Sequence, residues 1–223
     1  MSNKQIFREY IERVFNPQNF DLVYDYFSEE CIFHTPPYVG LGFQVDDTIG
    51  DKVIIQKVTP HGPAAEHLQK GDEVIRVSDE AGIRETFEQI SQGTWGQGKI
   101  GAPITVTVRR GDETFDFTFS RGRIEGFDLV LSETVGVWKR YTQKNWPDQK
   151  AEVKLLIEDG EYLAYFMMIE GTNAEFNQPA LWAESGIVRF ENEKMAEWWS
   201  VEDGLSLYWQ LGYEIKEPML ETA

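Results

Sequence analysis

The first 36 residues hold two amphipathic helices and a strand, but no sheet that could cover them. Ile6, Tyr10, Ile11, Val14 and Phe15 recur at helical spacing over residues 4–15, and Asn16-Pro17 ends that run. Phe20, Val23, Tyr24 and Phe27 share a face of a second, shorter helix, and Cys31-Ile32-Phe33-His34 reads as a strand stopped by Pro36-Pro37. Such a segment has to bury its apolar faces against something later in the chain. The residues that follow do not continue its pattern. From Tyr38 to about Ile124 the texture is short β runs separated by Gly and Pro: Gly40–Val45, Val53–Val58, Glu73–Val77, Ile104–Arg109 and Thr114–Ser120. The last two flank Arg110-Gly111-Asp112 as a hairpin does, one helix is expected over 81–91, and Gly93–Ala102 is a glycine-rich loop.

Helical spacing returns at about Leu129–Tyr141 and is broken at Trp146-Pro147-Asp148. Long strands are then expected at Ala151–Glu158, Glu161–Gly171, Leu181–Glu191 and Lys194–Val201, with Asp159-Gly160 as a tight turn between the first two. A last helix runs from near Asp203 to near Gly212, and the tail from Glu214 to Ala223 reads as loose. The outer segments therefore predict one globule, and the middle segment a second, with the join near Pro37 and near Glu125.

Charge narrows the partners. Thirty-eight acidic residues against 21 basic ones give a formal charge of −17, a surface that repels phosphate backbones and anionic lipid. Nucleic acid and membrane are not expected partners. Cys31 is the only cysteine, so neither an internal disulfide nor a cysteine metal cluster is available. His34, His61 and His67 fall on unrelated elements, and no metal or other cofactor is expected. The amphipathic, charged opening lacks the apolar core of a signal peptide, and a reduced, cytoplasmic protein is expected.

Gly40-Leu41-Gly42-Phe43 opens the first β run of the middle segment, and Pro63-Ala64-Ala65 and Gly71-Asp72-Glu73-Val74-Ile75 follow it in order. In sequence, spacing and closing hairpin, residues 37–124 resemble bacterial PDZ domains. The resemblance implies a small β-barrel with helices that binds a peptide C-terminus. Glycines let the backbone N–H groups of Gly40, Leu41, Gly42 and Phe43 converge on a carboxylate, and the peptide adds as a strand. Arg84, Phe87 and Glu88 on the expected helix are then candidates for the other wall. A groove closed by the protein's own loop is the competing expectation.

Residues 1–36 joined to 125–223 resemble SnoaL-like polyketide cyclases of the nuclear transport factor 2-like superfamily. The sharpest match is Ala196-Glu197-Trp198-Trp199-Ser200-Val201-Glu202-Asp203-Gly204-Leu205, ending in Gln210-Leu211-Gly212. The fold class implied is α+β: a cone of curved mixed sheet plus helices, interrupted by the PDZ segment. The resemblance further implies one conical pocket and a homodimer through the sheet.

The family's acid/base Asp falls on Ser200 and its neighbouring His on Trp198, so the usual cyclase pair is missing. Positions on the preceding strand fall near Glu184 and Gly186, and the motif's second Asp is Asp203, which is also placed to cap the last helix. A replacement pair, Glu184 with His34, is conceivable, with Tyr24 and Trp182 at the mouth; a buried Glu beside a His suits cofactor-free proton transfer. Three readings follow. The first is a binding protein with a peptide groove and a cone for a small apolar ligand. The second is a cyclase, isomerase or hydrolase using Glu184 and His34. The third is an assembly module with neither ligand nor turnover. A further possibility is that the C-terminal Leu220-Glu221-Thr222-Ala223 enters a PDZ groove.

Overall fold

The computed structural model describes residues 1–46, 50–91 and 95–214, and the tail expected to reach a peptide groove lies outside them. The chain divides into two compact units, one of Met1–Pro36 with Asp128–Ala223 and one of Pro37–Phe127.

The opening helix α1, Asn3–Tyr10, starts from a capping box in which Ser2 accepts the Gln5 amide and the Gln5 side chain returns to Ser2. It then widens into a π-helical turn, Ile11–Phe15, closed by the Asn16 amide on the Ile11 carbonyl at 2.9 Å. A 3-10 turn at Phe20–Leu22 leads into α2, Val23–Tyr26, and then β1, Phe27–His34.

The middle unit holds β2 (Tyr38–Gly40), β3 (Phe43–Asp46), β4 (Val53–Val58), β5 (Glu73–Asp79), β6 (Gly82–Arg84), α3 (Phe87–Ser91), β7 (Pro103–Arg110), β8 (Glu113–Ser120) and β9 (Gly122–Ile124). Its main sheet runs β3-β4-β5-β7-β8 with β6 on β5, while β2 and β9 form a separate ribbon. The sheet does not close into the small barrel expected, because β3 and β8 remain edges. Nor is 81–91 one helix. Gly82–Arg84 hairpins back on β5, held by Arg84 on Asp79 at 3.1 Å, and the helix begins only at Phe87. Leu41, Ile55, Leu68, Val77 and Val106 form the core of this unit.

The outer unit resumes with β10 (Asp128–Val130), α4 (Leu131–Asn145), β11 (Lys150–Asp159), β12 (Tyr162–Asn173), β13 (Gln178–Glu191), β14 (Lys194–Glu202) and α5 (Gly204–Gln210). One mixed sheet runs β10-β1-β14-β13-β12-β11, antiparallel throughout except where β1 lies parallel to β14. The opening helix packs on it: Phe7 meets Tyr165 at 4.8 Å and Trp198 at 5.7 Å. Asn16 clasps β11 through both amide groups, giving its NH2 to the Ala151 carbonyl at 3.1 Å and accepting the Ala151 N–H at 2.7 Å. The core is aromatic, with Phe27, Phe33 and Trp138 around Trp198. Among the described residues no helix is long and apolar enough to cross a membrane.

Candidate functional site

Strand alternation sets two faces on the outer sheet. Val188 pairs with Trp198, Gly186 with Ser200 and Glu184 with Glu202 on the inner face; Ile187 pairs with Trp199 and Arg189 with Glu197 on the outer. The inner face, α4 and the π-helical turn enclose a cavity of about 290 Å3. The turn brings Tyr10, Ile11 and Phe15 to its wall, and the sheet adds Phe33, Glu184 and Trp198.

Glu184 is oriented by a relay. The Trp198 indole N–H donates to the Tyr165 oxygen at 3.0 Å, and the Tyr165 hydroxyl donates to Glu184 Oε1 at 2.6 Å. Gly186 permits this. Tyr165 lies across it in register, and a Cβ there would stand 2.7 Å from the Tyr165 hydroxyl and 2.2 Å from the Trp199 carbonyl oxygen. Burial, with the nearby Glu202 charge added to it, pushes the Glu184 carboxyl up to about 7 against the opposing Tyr165 bond. Glu202 sits at the mouth, exposed on one side, and burial of the rest raises it too. Burial, with the Glu184 charge behind it, also raises the hydroxyls of Tyr165 and Tyr10. A carboxyl that titrates near neutrality inside an apolar wall can take or give a proton, or hold a cation.

The expected partner His34 is not there. Its ring belongs to the outer face, stacked on Trp199 at 4.4 Å, with Nδ1 2.7 Å from Asp128 and Nε2 3.1 Å from Glu197. Glu197 is held low by Arg189 at 2.6 Å and by His34. His34 borders the cavity by its place in the strand, but β1 alternation turns the imidazole away, so no Glu184–His34 pair forms. Asp203 caps α5, accepting the Ser206 amide at 3.1 Å, and lines no part of the cavity. Tyr24 is exposed elsewhere. Trp182 is buried against Trp146 at 4.7 Å rather than at the mouth. Trp198 and Ser200 do face inward, and Gly186 acts by making room. Sequence reasoning passed over Tyr10, Tyr165 and Glu202. The signal for Tyr165 was a glycine in mid-strand, which marks close approach by a neighbour.

In the middle unit Gly42 has φ +80°, and a Cβ there would crowd Ile124 and Gly62 at 3.1–3.2 Å. The carbonyls of Leu41 and Gly42 turn inward to accept the amides of Ala64 (3.0 Å) and Thr59 (2.8 Å). Phe43 meets Trp95 at 5.4 Å, and the Trp95 indole is anchored on the Ile90 carbonyl at the end of α3 by a 2.8 Å bond. Phe87 packs on the core and Glu88 is exposed. Arg84 stands on β6, tied to Asp79, and not on the helix.

Residues 37–120 match the model of the PDZ domain family. No curated protein matches the chain. Among solved structures it is similar to IdmH from Streptomyces antibioticus, a candidate polyketide cyclase, at 13% identity over 96% of this chain and 100% of that one, with a TM-score of 0.51. A candidate polyketide cyclase from Acidithiobacillus ferrooxidans aligns at 13% identity over 95% and 97%, with a TM-score of 0.47. At such identity the likeness is one of fold, and it rests on IdmH. The chain thus carries a segment that matches the PDZ domain family and shares the fold of IdmH.

Proposed function

We propose that this is a two-site binding protein: its cone takes a small, largely apolar ligand, and its PDZ groove takes a peptide C-terminus. The observation that carries the first half is the aromatic-walled cavity with the Glu184 carboxyl fixed inside it by Tyr165. Support for the second is the family match together with the inward-turned carbonyls of Leu41 and Gly42, which leave the loop's amides to face a carboxylate. Titrating a library of C-terminal peptides tests this. Gly42→Val, which the positive φ and the crowded backbone there do not admit, should abolish binding. Equal binding by both proteins, or by neither, refutes the groove.

The near-neutral Glu184 favours a second reading, a cofactor-free isomerase or cyclase with Glu184 alone as acid/base and Tyr165 as its positioning residue. Incubating the protein with small ketones and 1,3-dicarbonyls in deuterium oxide, and following C–H exchange by NMR, decides it. Exchange that follows an ionisation near 7 and disappears in Glu184→Gln supports it; exchange unaffected by that variant rejects it.

A homodimer through the outer sheet face belongs to the same proposal. Ile157, Tyr162, Phe166, Ile187 and Val201 are 57, 48, 40, 46 and 58% exposed there, and together they form an apolar patch.

A further inference from the structure

The cavity's polar atoms are unusually one-sided. Its described lining carries two carboxylates, Glu184 and Glu202, and no Lys or Arg. Glu184 Oε1 takes the Tyr165 hydroxyl, but Oε2 has no hydrogen bond, and neither does the Glu202 carboxylate among the described residues. Tyr10 adds an independent observation. It lines the cavity at 2% exposure, its ring packed between Phe27 and Trp198, and its hydroxyl has no partner among the described residues. The Tyr10 hydroxyl opens only onto the cavity, and a carboxylate lowered into an apolar wall with no counter-charge is costly. A single type of guest relieves all three: one that supplies several N–H donors and a positive charge.

The walls fit the same guest. Phe33, Trp138, Trp198 and Tyr10 line the cavity, and aromatic faces attract a cation while shedding water from an apolar body. An anion would meet two carboxylates. A neutral guest would leave the charge uncompensated once Glu184 ionises. At about 290 Å3 the space is at the small end of ligand pockets, of a size for a single-ring compound. The overall charge of −17 draws cations toward the molecule.

We propose that the cone binds a small apolar amine as its ammonium ion, with N–H groups directed at Glu184, Glu202 and the Tyr10 oxygen and its carbon body among the aromatic walls. This rests on the reading of the cone as a small-molecule pocket and names the class of its ligand. Binding then couples to protons. The titratable groups facing Glu184 are Tyr10 from α1, Tyr165 from β12 and Glu202 from β14; the α4 residues at the wall, Thr134 and Trp138, are neutral. An ammonium beside Glu184 favours its ionised form, so capture near pH 6.5 releases a proton.

The experiment is calorimetric titration of the full chain with phenethylamine, 2-phenylethanol and phenylacetate, which share a ring and differ in charge. The amine should bind about tenfold or more tighter than the alcohol, as a charged hydrogen bond requires, and phenylacetate should not bind. The heat at pH 6.5 should depend on the buffer's own ionisation and lose that dependence in Glu184→Gln. That variant should weaken the amine about tenfold and leave the alcohol unchanged. Glu202→Gln, at the exposed mouth, gives the same direction should Glu184→Gln fail to fold. Amine and alcohol binding equally, with neither variant separating them, overturns the amine inference and leaves the pocket standing. Binding of none of the three overturns the pocket as well.

Discussion

Glu184 and Gly186 show how two residues on one strand make a site. The alternation of β13 sends both inward, the glycine admits the Tyr165 ring, and that ring reaches the carboxyl two positions away. The cost of holding Glu184 there sets a pH dependence. Its folded value of about 7 lies above its ordinary 4.5, so the native state holds the proton more tightly than the unfolded chain. Stability is therefore full below about pH 4.5, falls as pH rises through 7, and is level beyond it. Gln resembles the protonated acid and never ionises. Glu184→Gln should match the parent at about pH 4 and exceed it at pH 8, by up to about 3 kcal/mol, in urea unfolding followed at both pH values; a variant weaker than the parent at pH 8 contradicts the burial argument. Glu184 was legible in the sequence because alternation alone places it inward. His34 was misassigned for want of the register: one residue of phase along β1 separates the cavity from Trp199 and Glu197. No local pattern near Tyr10 announces that its hydroxyl ends up opposite a strand encoded far downstream.

Most strands were legible as elements, because period-2 alternation and Gly or Pro punctuation survive any tertiary context; Val53–Val58 is a strand over the expected residues. The region 81–91 was not. Its turn-and-return on β5 depends on Asp79, which holds both Arg84 and Arg121 (2.7 Å), and such a clasp has no periodic signature. The wide turn after α1 escaped for the same reason, since one extra residue per turn barely disturbs helical spacing. At this scale the Gly71-Asp72 step of the PDZ match also gains a structural meaning. Asp72 is fully buried, accepts both prongs of Arg110 at 2.7 Å, and accepts the Gln69 amide at 3.0 Å. Asp72→Ala leaves the Gln69 amide and the partly exposed Arg110 guanidinium without their acceptor, and should cost about 1–3 kcal/mol, read as weakened hydrogen-exchange protection of residues 37–127.

At the scale of the whole molecule, the sheet of the outer unit has one aromatic face and one apolar face. The aromatic face is covered by α1 and α4; exposed Ile, Tyr, Phe and Val side chains mark the other. A soluble chain rarely leaves such a surface bare. Ile187→Glu puts a charge at the centre of the patch beside Trp199, and should convert a dimer into a monomer in sedimentation velocity with unchanged circular dichroism; a parent already monomeric at tens of micromolar would remove the dimer. The two-unit plan itself was legible, since residues 1–36 held faces without a counterpart and the texture changed abruptly at Tyr38. What no single sequence displays is the pairing order of a sheet whose neighbours are not consecutive.

That order has a consequence during synthesis. β1 lies between β10 and β14, and its parallel partner β14 is made only after the middle unit and β10 to β13. The greasy faces of Phe7, Phe27 and Phe33 therefore stay without their permanent neighbours while the intervening polypeptide is made. Pairings so distant along the chain are slow to form, which makes the nascent segment from α1 to β1 one in need of a chaperone's shelter.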